Sequence, residues 1–292
     1  MITASGGHTH HDGTVDVAAA LPPVLTVLLA CVYGALALRQ SQGPRGWNQW
    51  RTVAFLSGCA VLALGYSPQL SPYAEGSLPA HMYQHLLIGM YAPLGLVLGA
   101  PATLLLRSSS QPHGKRFGRV LRSRPMHLIG HPLSALALNL GGLSVLYFTP
   151  LYTVSAGSPV LHHLVHLHFL AAGYLFAWVI AGTDPAPRRS TVPARLVYLG
   201  VAITAHAVLS QMIYAGALIQ APATPADFRQ AGNLMYYGGD IAELLLAFAL
   251  VTTWRPHPHG PRSHRQTRVS IQWPSNPPSD TALGRTEQPH RT

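Results

Sequence analysis

Two pairs of histidines, each with a spacing of four residues, are the residues of this sequence best suited to hold a metal ion. His81 and His85 bound the segment HMYQH, and His162 and His166 lie in the segment SPVLHHLVHLHF, in which Ser158 as N-cap and Pro159 in the first turn predict a helix start. Residues four apart lie on the same face of an α-helix, so one helix offers two imidazole nitrogens and two helices offer four. Together the pairs predict a metal site, although a single such pair more often serves hydrogen bonding between helices.

Three further polar residues lie in apolar stretches and are candidates for the same site. His206 is a candidate ligand, and Asp240 and Glu243 are candidates to ligate directly or to orient an imidazole through its other N–H. The depth of each residue follows from the predicted helix starts and a rise of about 1.5 Å per residue. One layer, roughly 4–11 Å below the outer surface, would contain His85, His162, His166 and Asp240, with His206 some turns deeper.

The composition indicates that these residues lie in a membrane. Charged side chains make up 10% of the 292 residues and hydrophobic ones 48%, whereas soluble domains carry about a quarter charged residues. A helix of roughly 20 apolar residues crosses a bilayer. Seven apolar stretches of about this length occur, at 18–38, 52–70, 82–106, 128–149, 161–182, 196–220 and 236–254. The predicted fold class is all-α, a polytopic membrane protein with a bundle of seven transmembrane helices. Pro93 and Pro101 predict a kink in the third stretch, or its end near Gly99 followed by a short interfacial piece.

The basic residues determine the predicted orientation. All but Arg229 of the 19 lysine and arginine residues fall between stretches one and two, three and four, five and six, or after stretch seven. Cytoplasmic loops carry the excess of positive charge, so the amino terminus is predicted outside and the carboxyl terminus in the cytoplasm, as in a multi-pass protein of the plasma membrane. The predicted domains are an extracytoplasmic histidine-containing tail over residues 1–17, a transmembrane domain over 18–254 and a disordered basic cytoplasmic tail over 255–292.

Several functions are disfavoured by what the sequence lacks. The net charge of +10 follows from topology, so lipid headgroups are the predicted partner of the basic loops and nucleic acid is not. Cys31 and Cys59 lie in apolar runs without a CxxC spacing, which argues against a thiolate metal site. No Walker A, GxGxxG, GxSxG or HExxH motif occurs, so a protein that is not an enzyme is predicted.

Five segments resemble, in order, motifs of the multi-helix CtaG family of bacterial cytochrome c oxidase assembly factors, in its actinobacterial form. They are HMYQHLLIGMYAPLGLVLGAPATLLLR, GHPL, VLHHLVHLHFLAAGYLFAWVIAGTDP, HAVLSQMI and DFRQAGNLMYYGGDIAE, and the resemblance covers about residues 79–254. The chain departs from the family pattern at Val165, where many members have an acidic residue, and at Asp240, where glutamate is commoner.

The resemblance implies a role in the maturation of a haem-copper oxidase, by delivery of copper to its copper centre, with an oxidase subunit as partner. On this reading the metal ligands are His81, His85, His162, His166, His206 and Asp240. Two alternatives stay open. One is a haem-binding electron-transfer membrane protein with axial histidines from the third and fifth spans, and the other is a metal or proton transporter with an ionisable relay.

Overall fold

The computed structural model describes residues 17–109, 111–187 and 189–253, and within these ranges every regular element is helical. The predicted tails, residues 1–17 and 255–292, lie outside the described residues apart from Val17. The helices are α1 (Val17–Ser41), α2 (Gln49–Gly65), α3 (Leu78–Leu86), α4 (Ala92–Leu98), α5 (Pro101–Ser108), α6 (Gln111–Leu121), α7 (Arg124–Ile129), α8 (Pro132–Phe148), α9 (Leu151–Ala156), α10 (Pro159–Ala181), α11 (Val192–Ala215) and α12 (Pro225–Thr252). A 3₁₀ turn at Pro68–Leu70 and a π-helical turn at Leu87–Tyr91 complete the regular structure of this part of the chain.

The long helices have the length and composition of membrane spans. Among the described residues, α1, α10, α11 and α12 are long and apolar enough to cross a bilayer, and Leu78–Leu98 with Pro101–Ser108 makes a fifth if this bent pair is one span. Val27, Leu244 and Phe248 on their outer faces are 59%, 66% and 68% exposed, as expected of lipid-facing side chains. The chain is therefore a helical membrane protein with four or five spans by this criterion.

The other two predicted spans fall on shorter helices. α2 and α8 have 17 residues each. At the helical rise they reach about 26 Å, which is less than the roughly 30 Å of a hydrocarbon core. Each of the seven predicted stretches thus lies mostly on helix, but length and composition alone do not qualify all seven as spans.

Serine caps set where the two histidine-bearing helices begin. The Ser77 side chain accepts a hydrogen bond from the N–H of Ala80 at the start of α3, and the Ser158 side chain accepts one from the N–H of Leu161 at the start of α10. A proline lies in the first turn of each helix, where its missing N–H costs nothing. The predicted start of the fifth span at Pro159 is confirmed.

α12 begins about three turns earlier than the seventh predicted stretch. Its N-cap Thr224 accepts from the N–H of Asp227, whose carboxylate accepts in return from the Thr224 N–H and hydroxyl. This capping box starts the helix at Pro225 rather than near Tyr236. The depth predicted for Asp240, counted from Tyr236, therefore does not describe its position along the observed helix.

The third predicted span is interrupted at both prolines. Pro93 has no N–H to donate to the carbonyl one turn before it, and the preceding residues Leu87–Tyr91 form the π-helical turn, in which the N–H of Ala92 donates to the carbonyl of Leu87. The second break lies at Ala100, whose φ of 51° is left-handed, and α5 then departs at 40°. Of the two predicted alternatives, the end near Gly99 followed by a short piece is found, and α5 is that piece.

A buried carboxylate ties α5 to the end of α10. Asp184, which is 1% exposed, accepts hydrogen bonds from the N–H of Ala102 at 3.0 Å, the N–H of Thr103 at 2.7 Å and the Thr103 hydroxyl at 2.6 Å. The N–H groups of a first helical turn have no partner within the helix, and a negative charge there is favourable. Arg189 donates to the carbonyls of Gly182 and Asp184 and so closes the same loop. Nothing in the sequence pattern predicted this contact.

The bundle has two ends that differ in chemistry. We name the histidine end for the starts of α3, α10 and α12, and the basic end for the starts of α8 and α11. Near the histidine end the core contains Leu143, Leu146, Phe169, Ile213 and Met235. Towards the basic end a second apolar cluster contains Val97, Leu136, Ile180, Leu199 and Leu250, and we name it the basic-end core.

Candidate metal centre

Three histidines from two helices converge at the histidine end. His81 lies in the first turns of α3, and His162 and His166 lie one turn apart near the start of α10. Each histidine has one ring nitrogen placed so that these three nitrogens all lie within 4.8 Å of one another. In the described part of the chain, no other group of three histidine, cysteine or acidic side chains meets this condition. We name these three residues the triad.

The rings of the triad are already close to the arrangement that a metal ion requires. Their centroids are 4.3 Å apart for His162 and His166, 5.8 Å for His81 and His166, and 6.3 Å for His81 and His162. Metal–nitrogen bonds of about 2.0–2.1 Å place tetrahedral ligand nitrogens roughly 3.3 Å apart. Small rotations of the side chains would therefore suffice to bring the three nitrogens around one ion.

Two buried nitrogens of the triad lack partners among the described residues. His81 and His166 are 7% and 2% exposed, and among the described residues the Nε2 atom of each has no hydrogen-bond partner. Buried polar atoms are nearly always paired, so unpaired ones indicate a group that is missing from the protein itself. The three imidazoles can supply nitrogen ligands to a first-row transition metal.

Two tyrosines that the sequence analysis did not identify pack against His81. The Tyr147 and Tyr152 rings lie edge-on to it, with centroids 6.1 Å and 5.1 Å away. The hydroxyl of Tyr147 is buried and has no partner among the described residues. Both tyrosines lie where α8 and α9 meet the histidine end. The sequence contains no motif that marks them, and only their position beside the predicted histidine pairs in the fold indicates a role.

An outer cavity leads to the triad. It has a volume of about 340 Å³, and its lining includes His81, His162, Gln84, Tyr152 and the exposed Glu75. His163 also lines this cavity, but its Nδ1 lies 2.6 Å from the carbonyl of Pro159 in its own helix. His81 and His166 are thus buried, His162 is half-buried, and the cavity that His81 and His162 line gives an ion a route to the triad.

His85 and His206 do not join the triad. His85 lies one turn further along α3 than His81, and the ring of Phe169 packs against both, with centroids 4.6 Å from His85 and 6.3 Å from His81. His206 lies in the middle of α11 and lines an inner cavity together with His85. The predicted ligands therefore fall into two groups that Phe169 separates.

Asp240 lies outside both groups. It is half-buried on α12 and lines neither cavity, whereas Glu243, one turn later, is 5% exposed and lines the inner cavity with His85 and His206. The spacing of three residues left both acids as candidates. The rotation of α12 against its neighbours, which the sequence did not give, turns Glu243 to the histidines.

Comparison with known proteins identifies the family. The model of the cytochrome c oxidase caa3 assembly factors (Caa3_CtaG) matches residues 30–256 of the chain. The chain belongs to this family. The match begins well before residue 79, so the second half of α1 and all of α2 belong to the domain that Caa3_CtaG proteins share. The predicted resemblance is confirmed and extended towards the amino terminus.

Curated relatives of this Caa3_CtaG protein come from mycobacteria. An uncharacterised protein of Mycobacterium bovis is 32% identical over 254 residues, covering 79% of this chain and 37% of that protein. An uncharacterised protein of Mycobacterium leprae is 29% identical over 256 residues, covering 80% and 38% respectively. The chain thus spans less than two fifths of the length of the curated relatives that it matches. No solved structure matches it.

Proposed function

We propose that this Caa3_CtaG protein is a non-catalytic assembly factor that holds copper at the triad and passes it to a subunit of a haem-copper oxidase. The observation that carries the proposal is the approach of three imidazole nitrogens to within 4.8 Å of one another beside the outer cavity. Copper is the cargo because the family assembles a cytochrome c oxidase, whose copper centre the resemblance implies as the destination.

The chemistry of the triad suits a donor rather than a permanent store. Imidazole nitrogen binds copper and zinc well, but the triad contains no thiolate, which is the ligand that holds Cu(I) most firmly. Cys59 is buried among α2 and α4 residues and Cys31 is exposed on α1, so neither contributes to the triad. An ion held by neutral imidazoles alone can be released to a stronger acceptor.

The proposal places seven spans in the plasma membrane, with the histidine end on the extracytoplasmic side. The basic residues support this orientation because the loops at the opposite end carry nearly all of them. α2 packs against α1 and α4, and α8 packs against α10 and α11, which supports counting these two shorter helices as spans. A copper ion bound at the histidine end would then lie close to the extracytoplasmic surface, where copper is available.

The number of converging ligands favours a metal ion over haem. Haem iron takes one or two axial ligands from the protein, whereas three imidazoles approach one another here. An optical spectrum of the purified protein separates the two functions, because bound haem gives a Soret band and copper held by histidines does not.

The proposal is tested with His166→Ala and with His168→Ala as the matched control. His168 lies on the same helix but contacts the carbonyl of Leu138, away from the triad. Copper per purified chain and oxidase activity in cells are measured for both variants. We expect both quantities to fall for His166→Ala and to stay at the wild-type level for His168→Ala. Unchanged copper content and unchanged oxidase activity in His166→Ala would refute the proposal.

A further inference from the structure

A second group of buried polar side chains lies one turn deeper than the triad. His85 of α3, His206 of α11 and Glu243 of α12 are 3%, 3% and 5% exposed. All three line one inner cavity of about 30 Å³, which shares no lining residue with the outer cavity. Three different helices therefore bring two imidazoles and a carboxylate to the same internal space.

These side chains have no partners in the described part of the protein. Both ring nitrogens of His85, both ring nitrogens of His206 and the Oε2 atom of Glu243 are buried without a hydrogen bond. Burying a polar group without a partner is unfavourable, and burying an uncompensated carboxylate is more so. Five unpaired atoms around one cavity indicate that a polar guest fills it.

The backbone is shaped to admit these rings. A Cβ atom on Gly239 of α12 would overlap the ring of His206, and a Cβ atom on Gly89 would lie 3.3 Å from the ring of His85. Gly89 belongs to the π-helical turn that follows His85, and such turns occur often at functional sites. Glycine at both positions leaves room for the imidazoles against the neighbouring helices.

The size and chemistry of the cavity suit a single metal ion. A cavity that holds one water molecule needs about 10–15 Å³, so this cavity of about 30 Å³ has room for one ion together with a water ligand. Two imidazoles and one carboxylate are a ligand set typical of first-row transition metals. The carboxylate also offsets the charge of a cation in a medium of low dielectric constant.

We propose that His85, His206 and Glu243 form a second, internal site that holds one transition-metal ion. The proposal rests on the proposed function, which makes that ion copper, and it adds a reserve ion behind the triad. In the described residues only the triad brings three donor atoms within 4.8 Å, so the internal site closes around its ion by side-chain rotation or keeps a water ligand.

The internal site ends towards the basic end. Its cavity is lined on that side by Leu94, Phe176 and Leu246, which pack into the basic-end core. The ionisable side chains described as buried nearer the basic end, Asp184 and Arg195, do not line the cavity and are hydrogen-bonded to backbone groups instead. The site thus holds an ion near the triad instead of conducting it across the membrane.

The test is the number of copper ions bound per chain. The purified full-length chain in detergent is loaded with excess copper alone, desalted, and analysed for metal by mass spectrometry. We expect two ions for the wild type and for the His168→Ala control, and one ion for Glu243→Gln, for His206→Ala and for His166→Ala. Glu243→Gln retains the shape of the side chain, so its loss of an ion is not explained by a cavity in the core.

Each outcome bears on one of the two sites. One ion in the wild type, or two ions in both Glu243→Gln and His206→Ala, would overturn the internal site. A loss of one ion in His166→Ala together with unchanged Glu243→Gln would leave the triad and remove the internal site. A loss of one ion in Glu243→Gln together with two ions in His166→Ala would refute the triad, and with it the proposed function, and would support the internal site. A monodisperse elution profile for each variant establishes that it is folded.

Discussion

Replacing Asp184 tests how the bent third span is held. Asp184→Ala leaves three donors on Ala102 and Thr103 without an acceptor. A hydrogen bond to a charged group contributes about 1.5–3 kcal/mol. Water can reach part of the vacated space because α5 lies at the basic end, so we take the lower end of that range, about 1.5 kcal/mol for each of the three bonds, and expect a total loss of roughly 4–5 kcal/mol.

Two milder substitutions divide that loss. Asp184→Asn keeps the shape and one acceptor but removes the charge, and charge-assisted hydrogen bonds are about twice as strong as neutral ones, so roughly 2 kcal/mol is expected. Thr103→Val removes only the 2.6 Å hydroxyl bond, for an expected cost of about 1 kcal/mol. Because the two side chains contact each other, the double variant should lose less than the sum of the single losses.

The free energy of unfolding is measured by titrating detergent-solubilised protein with a denaturing detergent and following helix content. Asp184 lies at the opposite end of the bundle from the triad, so copper content per folded chain should stay at the wild-type level. A stability of Asp184→Ala within about 0.5 kcal/mol of the wild type, the usual effect of a neutral surface substitution, would refute this account of the contact.

Three further predictions concern the two sites. Gly239→Ala should displace the His206 ring and remove one bound copper ion. The control Gly238→Ala should retain both copper ions, because the added methyl group meets only a leucine side chain that can rotate. Equal metal content in the two variants would contradict the packing argument. Glu75→Gln should slow copper loading at low ionic strength but not at high ionic strength, with unchanged final copper content. The reason is that an exposed carboxylate attracts the copper ion from a distance and dissolved salt screens this attraction. Stopped-flow measurement of copper loading at two salt concentrations checks this. Tyr147→Phe removes a buried hydroxyl that has no partner in the part of the chain that the structure describes, so the free energy of unfolding should change by less than about 1 kcal/mol. A larger loss in the denaturant titration would contradict this.

Much of the local structure was predictable because it depends on neighbours along the chain. Ser158 followed by Pro159 predicted the start of α10, and the proline at Pro93 predicted the interruption of the third span. The spacing of His162 and His166 placed both on one face of a helix, where they are found. The start of α12 was not predicted, because the capping box at Thr224 lies before the apolar stretch that indicated the span.

The sequence by itself determined that this is an all-helical membrane protein of the Caa3_CtaG family, and which helices carry its histidines. Helical periodicity relates residues within one helix, and an apolar composition requires helices in lipid, so both follow without knowledge of the fold. Only the tertiary structure decided that His81 meets His162 and His166, that Glu243 rather than Asp240 turns towards His85 and His206, and that Asp184 caps a distant helix. These contacts depend on how each helix is rotated and packed against the others. Side-chain packing across the whole bundle determines that rotation, so it cannot be derived from any single segment of the sequence.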